Sequence, residues 1–295
     1  MNKIQIRSSN PKTYATIIPE IGAILAELVI DGCSIITCPV FDNDYLRGKP
    51  SAFLFPFPNR LEDGKYTFEG HQYQMPITEP ARQNAIHGFV YEQSFEIKSQ
   101  SSDSIKLIYE YDGSREYYPF SFDFEIEYKF VNNCLSVIYS AKNTGNSNMP
   151  CGFGWHPYFK FGGESIEKMT LELAATRAIQ TDDRMIARGF SEVIPARTIY
   201  LDDNSLDNGF KVESDTETIK TALVFGNKKI VVEQQNNTVP PLNYLMIYTP
   251  NTRKSVAIEP MTCNINAFNN GDGLMILAPN QQMNGTMKIC FEEAH

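Results

Sequence analysis

Period-two alternation dominates this sequence. From Phe122 to Phe130 every even position is apolar (Phe122, Phe124, Ile126, Tyr128, Phe130) and every odd one is charged (Asp123, Glu125, Glu127, Lys129). Side chains alternate between faces along a strand, so the segment predicts a β-strand with one buried and one wet face, which helical spacing cannot produce. Asn132-Asn133 supplies a turn, and alternation resumes at Leu135, Val137, Tyr139 and Ala141, predicting an antiparallel hairpin. Ile105, Leu107, Tyr109 and Tyr111 predict a third strand that extends it to a meander.

The same rhythm recurs. Tyr66 and Phe68, a Glu69-Gly70 turn, then Tyr73 and Met75 predict a second hairpin, and Met169 to Leu173 and Met287 to Phe291 read as further strands. Residues 21–30, bounded by Gly22 and Gly32, fit either a short helix or a strand. Convincing amphipathic helices, internal repeats and low-complexity tracts are missing; residues 202–217 form the most polar stretch. The expected fold is all-β, a large antiparallel β-sandwich forming one domain over residues 1–295.

Composition narrows the function. A chain of 295 residues buries a large core without disulfides or a structural metal. The net charge of −9, with no basic stripe, argues against nucleic acid and anionic membrane surfaces as partners. The first residues lack the apolar core of a signal peptide, and no run approaches the roughly 18 apolar residues of a transmembrane helix. The six cysteines (Cys33, Cys38, Cys134, Cys151, Cys263, Cys290) are scattered without a Cys-x-x-Cys pair, which reads as free thiols in a reducing, cytoplasmic compartment.

Few residues offer chemistry. Of four histidines, His71 sits at a hairpin tip, where a solvated imidazole is the plain reading, and His295 is the last residue. His87 precedes Gly88, whose backbone freedom permits a turn or a close approach; a structural histidine at a strand start is the alternative. In Cys151-Gly-Phe-Gly-Trp-His-Pro-Tyr-Phe159, strand geometry puts His156 and Tyr158 on one face and Trp155 on the other, with the strand ending or lying at an edge at Pro157. Glu259 closes the apolar run Val256-Ala-Ile before Pro260, read as the strand end, where apolar surroundings raise a carboxylate's proton affinity. The plain alternatives are an aromatic core around His156 and a solvated acid at Glu259. Zinc-ligand spacing, a phosphate-cradling glycine loop and a Gly-x-Ser-x-Gly elbow are all missing, so neither metal nor cofactor is expected.

Taken in order, several segments resemble the aldose 1-epimerase (galactose mutarotase) family over nearly the whole chain. They are Phe57-Pro-Asn-Arg-Leu-Glu-Asp-Gly-Lys-Tyr-Thr-Phe68, His87-Gly88, His156-Pro-Tyr-Phe159, Leu206-Asp-Asn-Gly-Phe210, and Glu259-Pro-Met261 with Asn266-Ala-Phe-Asn269. The resemblance implies a galactose mutarotase-like sandwich that interconverts α and β anomers of a free aldohexose such as glucose or galactose. It implies His156 as the acid at the ring oxygen O5 and Glu259 as the base at the O1 hydroxyl. Asn59, Arg60, His87 and Asp207 are implied as substrate-binding residues.

Two departures bear on the substrate. Met246 stands where the family often has glutamine, so galactose preference does not follow. Val90 and Tyr91 follow Phe89 where related hexose-6-phosphate mutarotases usually place an arginine, which favours an unphosphorylated sugar. The expected partner is a small-molecule sugar, with the protein a monomer or homodimer. The competing readings are a non-catalytic sugar-binding protein on the same fold, a mutarotase for another, possibly phosphorylated, sugar, and a glycoside-processing enzyme with paired carboxylates.

Overall fold

The computed structural model describes residues 2–38, 49–202 and 204–293; His295 lies outside them. Two large antiparallel sheets carry the fold. The nine-stranded sheet runs in the order Glu96–Gln100, Ser104–Tyr111, Phe122–Val131, Cys134–Asn143, Gln282–Glu293, Lys228–Gln235, Thr218–Phe225, Thr170–Leu173 and Arg197–Tyr200. The eight-stranded sheet runs Ala187–Ile194, Thr176–Thr181, Asp207–Val212, Tyr244–Tyr248, Val256–Met261, Gly154–His156 and Ala52–Leu54, with Tyr158–Phe159 pairing beside Val256–Met261. A four-stranded meander of Ile4–Arg7, Tyr14–Ile18, Ile24–Ile30 and Cys33–Thr37 completes the N-terminal part. Residues 24–30 are therefore a strand, which settles the earlier ambiguity.

The alternation read from the sequence is the burial pattern. Phe122, Phe124, Ile126, Tyr128 and Phe130 face inward, and the predicted meander pairs from Ile105↔Tyr128 to Phe130↔Leu135. Between the sheets Phe53, Phe124, Tyr128, Tyr139, Phe153 and Trp155 are fully buried. Phe53 stacks on Trp155 at 6.0 Å and Tyr139 on Phe153 at 3.6 Å. Removing a side chain of this size from water stabilises the fold by about 1.5–3 kcal/mol, so this aromatic layer gives the eight-stranded sheet a stiff underside.

Two local expectations change. Cys134 and Cys290 are disulfide-bonded, with Cα atoms 4.5 Å apart, and only Cys33, Cys38, Cys151 and Cys263 are free thiols. The register Leu135↔Ile289 brings these two cysteines together across 156 residues, a pairing invisible to spacing. It removes the thiol argument for a reducing compartment. Next, the Glu259 strand does not end at Pro260: its ladder with Tyr244–Tyr248 runs through Leu245↔Pro260 to Tyr244↔Met261. Proline lacks the N–H that one of two ladders would use, and the pairing with Gly154–His156 is correspondingly a single pair, Gly154↔Met261. The His156 strand ends before Pro157, as expected, and is interior to the sheet, with Ala52–Leu54 outside it.

Candidate active site

Register builds the floor of the site. The eight-stranded sheet pairs Gly209↔Met246 and Met246↔Glu259, and His156 falls opposite Glu259 because Gly154↔Met261 and Tyr158↔Ala257 share one register. Two residues along each strand, on the same face, lies a second row of Asp207, Tyr248, Ala257 and Tyr158. Trp155, Ile247 and Ile258 point the other way into the core. Side chains far apart in the chain thus share one surface, held from below by the aromatic layer.

The opposite wall is a small two-stranded sheet, Arg60–Glu62 with Asn84–Ile86, and its flanking residues. Asn59 and His87 both adopt left-handed backbone, with φ of 56° and 70°. The His87 N–H donates to the Asn59 carbonyl at 2.9 Å, and the Asn59 N–H donates to His87 Nδ1 at 3.2 Å. An Nδ1 that accepts leaves the proton of a neutral imidazole on Nε2, so His87 presents a donor. Gly88 follows at φ 65°, where a Cβ would stand 2.1 Å from the Phe55 carbonyl oxygen. This close approach is why glycine follows the histidine.

The Asn266-Ala-Phe-Asn269 segment fastens this wall and does not line the cleft. The Asn266 N–H donates to the Arg60 carbonyl at 2.8 Å, Asn266 Oδ1 accepts from the Glu62 N–H at 3.1 Å, and Phe268 packs on Phe57 at 5.5 Å.

Floor and wall enclose a cleft of about 530 Å³, within the roughly 300–1,000 Å³ of small-molecule sites. His156, Glu259, Asn59, Arg60, His87 and Asp207 all line it. So do Lys49, Thr78, Glu79, Arg82, Ile86, Tyr158, Met246 and Tyr248. Tyr158 stacks on His156 at 4.8 Å, as their shared strand face implies. Tyr248 was legible in the same way, two residues after Met246. Lys49, Glu79 and Arg82 carry no sequence signal, because the turns that bring them here are irregular.

Nε2 of His156 lies 3.2 Å from Oε1 of Glu259, and both side chains are buried. Burial, with a smaller contribution from Lys49, pulls His156 down to about 3. Burial likewise raises Glu259 well above the usual carboxylate range; Asp207 adds to this and Arg60 opposes it. His87 is held well below an ordinary histidine by burial, then by the charges of Lys49, His156 and Arg60. Both histidines are therefore neutral near pH 7, and Glu259 binds a proton far more readily than an exposed glutamate. Arg60 makes two bonds to Glu79, at 2.9 and 3.0 Å, and Arg82 a third at 2.9 Å. Burial would raise Glu79, but these guanidiniums outweigh it and hold the carboxyl below its ordinary range. Among the described residues no three His, Cys, Asp or Glu side chains group so as to hold a metal ion.

The molecule is thus an antiparallel sandwich with a polar cleft in which a buried imidazole and a buried carboxylate touch. It belongs to the aldose 1-epimerase family, whose sequence profile matches residues 5–290. The chain is 28% identical over 274 residues to an uncharacterised protein, YihR, of Escherichia coli (strain K12), covering 90% of this chain and 85% of that one. A galactose mutarotase-like protein from Clostridium acetobutylicum shares the fold with a TM-score of 0.84 at 23% identity, over 98% of this chain and 95% of that one. A galactose 1-epimerase from Lactobacillus acidophilus NCFM does so at 0.79 and 16%, over 100% of both chains. The family implies a carbohydrate epimerase. No helix among the described residues is long and apolar enough to cross a membrane.

Proposed function

We propose that this protein is an aldose 1-epimerase that interconverts the α and β anomers of a free aldohexose of the glucose or galactose type, with His156 as acid and Glu259 as base. The observation that carries the reading is the 3.2 Å contact between these two buried groups, in a cleft that also offers Asn59, Arg60, His87 and Asp207 to sugar hydroxyls.

The proton balance follows from their environments. The competent pair holds one proton beyond neutral imidazole and carboxylate. When His156 carries it, His156 gives it to the ring oxygen O5 as the C1–O5 bond breaks, and Glu259 takes the O1 hydroxyl proton as C1 becomes an aldehyde. The proton has moved from His156 to Glu259 through the sugar, in the direction that burial favours for both groups. Rotation about C1–C2 presents the other face of the aldehyde. Closure forms the C1–O5 bond, with Glu259 returning a proton to O1 and His156 recovering one from O5. Positioned acid–base groups of this kind each contribute about 10²–10⁴ in rate. A pure binder would have no use for a buried carboxylate of raised proton affinity in contact with a buried histidine.

The test is polarimetry on freshly dissolved α-D-glucose and α-D-galactose near neutral pH. A faster approach to the same final rotation supports the reading; no acceleration with either sugar by folded protein counts against it for these substrates.

A further inference from the structure

Resting on the mutarotase reading for the role of Arg60, we propose that Glu79 is a positioning residue for that guanidinium and is itself held by Asn84 and Arg184, so that a turn which does not line the cleft sets how Arg60 meets the sugar.

Glu79 lines the cleft, yet its carboxylate is fully occupied. An ionised carboxylate offers about four acceptor sites. Oε2 accepts from Arg60 Nε at 2.9 Å and from Asn84 Nδ2 at 3.3 Å, and Oε1 accepts from Arg60 Nη2 at 3.0 Å and from Arg82 Nη1 at 2.9 Å. A sugar hydroxyl finds no free acceptor there, so Glu79 acts on Arg60 and not on the substrate.

The guanidinium is fixed by this arrangement. Nε and Nη2 together grip both carboxylate oxygens, a two-point contact that sets the plane of the group. Nη1 donates to Asn59 Oδ1 at 3.4 Å. Among the described residues, one N–H on Nη1 and one on Nη2 are then left to face a ligand. A single-point contact would let the plane swing and misdirect both.

Asn84 fixes Glu79 from behind. It is completely buried, and its amide is used at both ends. Nδ2 donates to Glu79 and also to the Arg184 carbonyl at 3.0 Å, while Oδ1 accepts from Arg184 Nη2 at 3.2 Å. The oxygen faces a guanidinium, so the nitrogen must face the carboxylate. The backbones of the two residues are joined as well, the Glu79 N–H donating to the Asn84 carbonyl at 2.9 Å.

Arg184 completes the chain of contacts. Its Nε donates to the Arg82 carbonyl at 3.0 Å, and its Nη2 to the Gln83 carbonyl at 2.9 Å and to Asp63 Oδ1 at 2.7 Å. One guanidinium thus spans the turn that carries Arg82, Gln83 and Asn84. Arg184 stands between Thr176–Thr181 and Ala187–Ile194, at the edge of the eight-stranded sheet. Asp182 Oδ1 shapes that turn, accepting the Arg184 and Ile186 N–H groups at 2.9 and 3.0 Å. The floor's edge hairpin therefore fastens the wall that holds Arg60.

The experiment has two arms. The first needs no sugar: heteronuclear NMR follows solvent exchange of the Arg60 Nε–H, assigned by its loss in Arg60→Met. Exchange is expected to quicken about tenfold or more in Glu79→Gln and in Arg184→Met. The second measures mutarotation and binding of D-glucose and D-galactose by polarimetry and calorimetry. Each variant is expected to raise KM and Kd about tenfold while kcat changes less than about threefold. In an Arg60→Met background neither substitution is expected to lower kcat/KM further, since both act through Arg60. Unchanged Nε–H exchange in a folded Arg184→Met overturns the proposal, as do losses that add in full in the Arg60→Met background. Quickened exchange in both variants, with no mutarotation by the unaltered protein, would overturn the catalytic reading and leave this one standing. Rapid mutarotation with exchange and KM unchanged in Glu79→Gln would do the reverse.

Discussion

His156 and Glu259 stand directly opposite one another on neighbouring antiparallel strands, Nε2 to Oε1 at 3.2 Å, with His156 Nδ1 making no hydrogen bond. Two ionisable groups in such contact titrate as a pair, and several consequences can be measured.

The first concerns rate. His156→Ala and Glu259→Gln are each expected to lower kcat/KM for mutarotation by about 10²–10⁴-fold while circular dichroism shows a folded protein. Polarimetry checks this, and near-wild-type turnover in either variant sinks the assignment of acid and base.

The pH profile follows from the proton count. The pair needs one proton to act, and Glu259 keeps it well above an exposed glutamate's range because of burial and Asp207. Activity is expected to hold through pH 4–5 (on the order of a glutamate's usual pKa) and to fall only as pH rises through the pair's upper pKa. Removing a neighbouring negative charge lowers that pKa, so Asp207→Asn should move the alkaline limb to lower pH besides weakening sugar binding. A limb that stays in place means Asp207 does not tune Glu259.

Stability and function pull apart at Glu259. Its folded pKa is raised, so its favourable contribution is present below the unfolded pKa and lost as pH rises through the folded one. Ionised and buried at higher pH, it destabilises the fold. Glu259→Gln is therefore expected to raise Tm at alkaline pH, by roughly 2–4 °C per kcal/mol recovered, with the gain shrinking toward pH 4. His87 and His156 act with the opposite sign. Their depressed folded pKa values give stability that is full above about 6.5 and lost as pH falls toward the folded values. Calorimetric melts across pH 3–9 (a span of about six units around these pKa values) read both effects.

Met246 is buried, lines the cleft and pairs with Glu259. Met246→Gln places an amide among the sugar contacts, where matched hydrogen bonding discriminates sugars far better than apolar packing. The galactose-to-glucose ratio of kcat/KM is expected to rise about tenfold, measured by polarimetry on both sugars. An unchanged ratio means position 246 does not read the sugar.

Gly88 offers a test of the wall. Alanine there would combine left-handed backbone with a Cβ 2.1 Å from the Phe55 carbonyl oxygen, and strained positions of this kind cost about 1–3 kcal/mol before any clash. Gly88→Ala is expected to lower Tm and raise KM together, since His87 is the adjacent residue.

Much of this protein was readable along the chain because its determinants are local. Alternation of apolar and charged residues depends only on the pleat, so the hairpins from Tyr66 to Met75 and from Phe122 to Ala141 were visible. The common face of His156 and Tyr158, the glycine after His87 and the six candidate residues were legible for the same reason or through ordered motifs. Pairing between distant strands has no such local signature. Only the tertiary register sets His156 against Glu259, places Met246 beside that carboxylate and joins Cys134 to Cys290. The charges of the cleft follow the same rule: the sequence named the chemical groups, but how strongly each holds its proton came from burial and from neighbours such as Lys49 and Asp207. Desolvation and Coulomb forces act through space, and folding alone decides which residues share it.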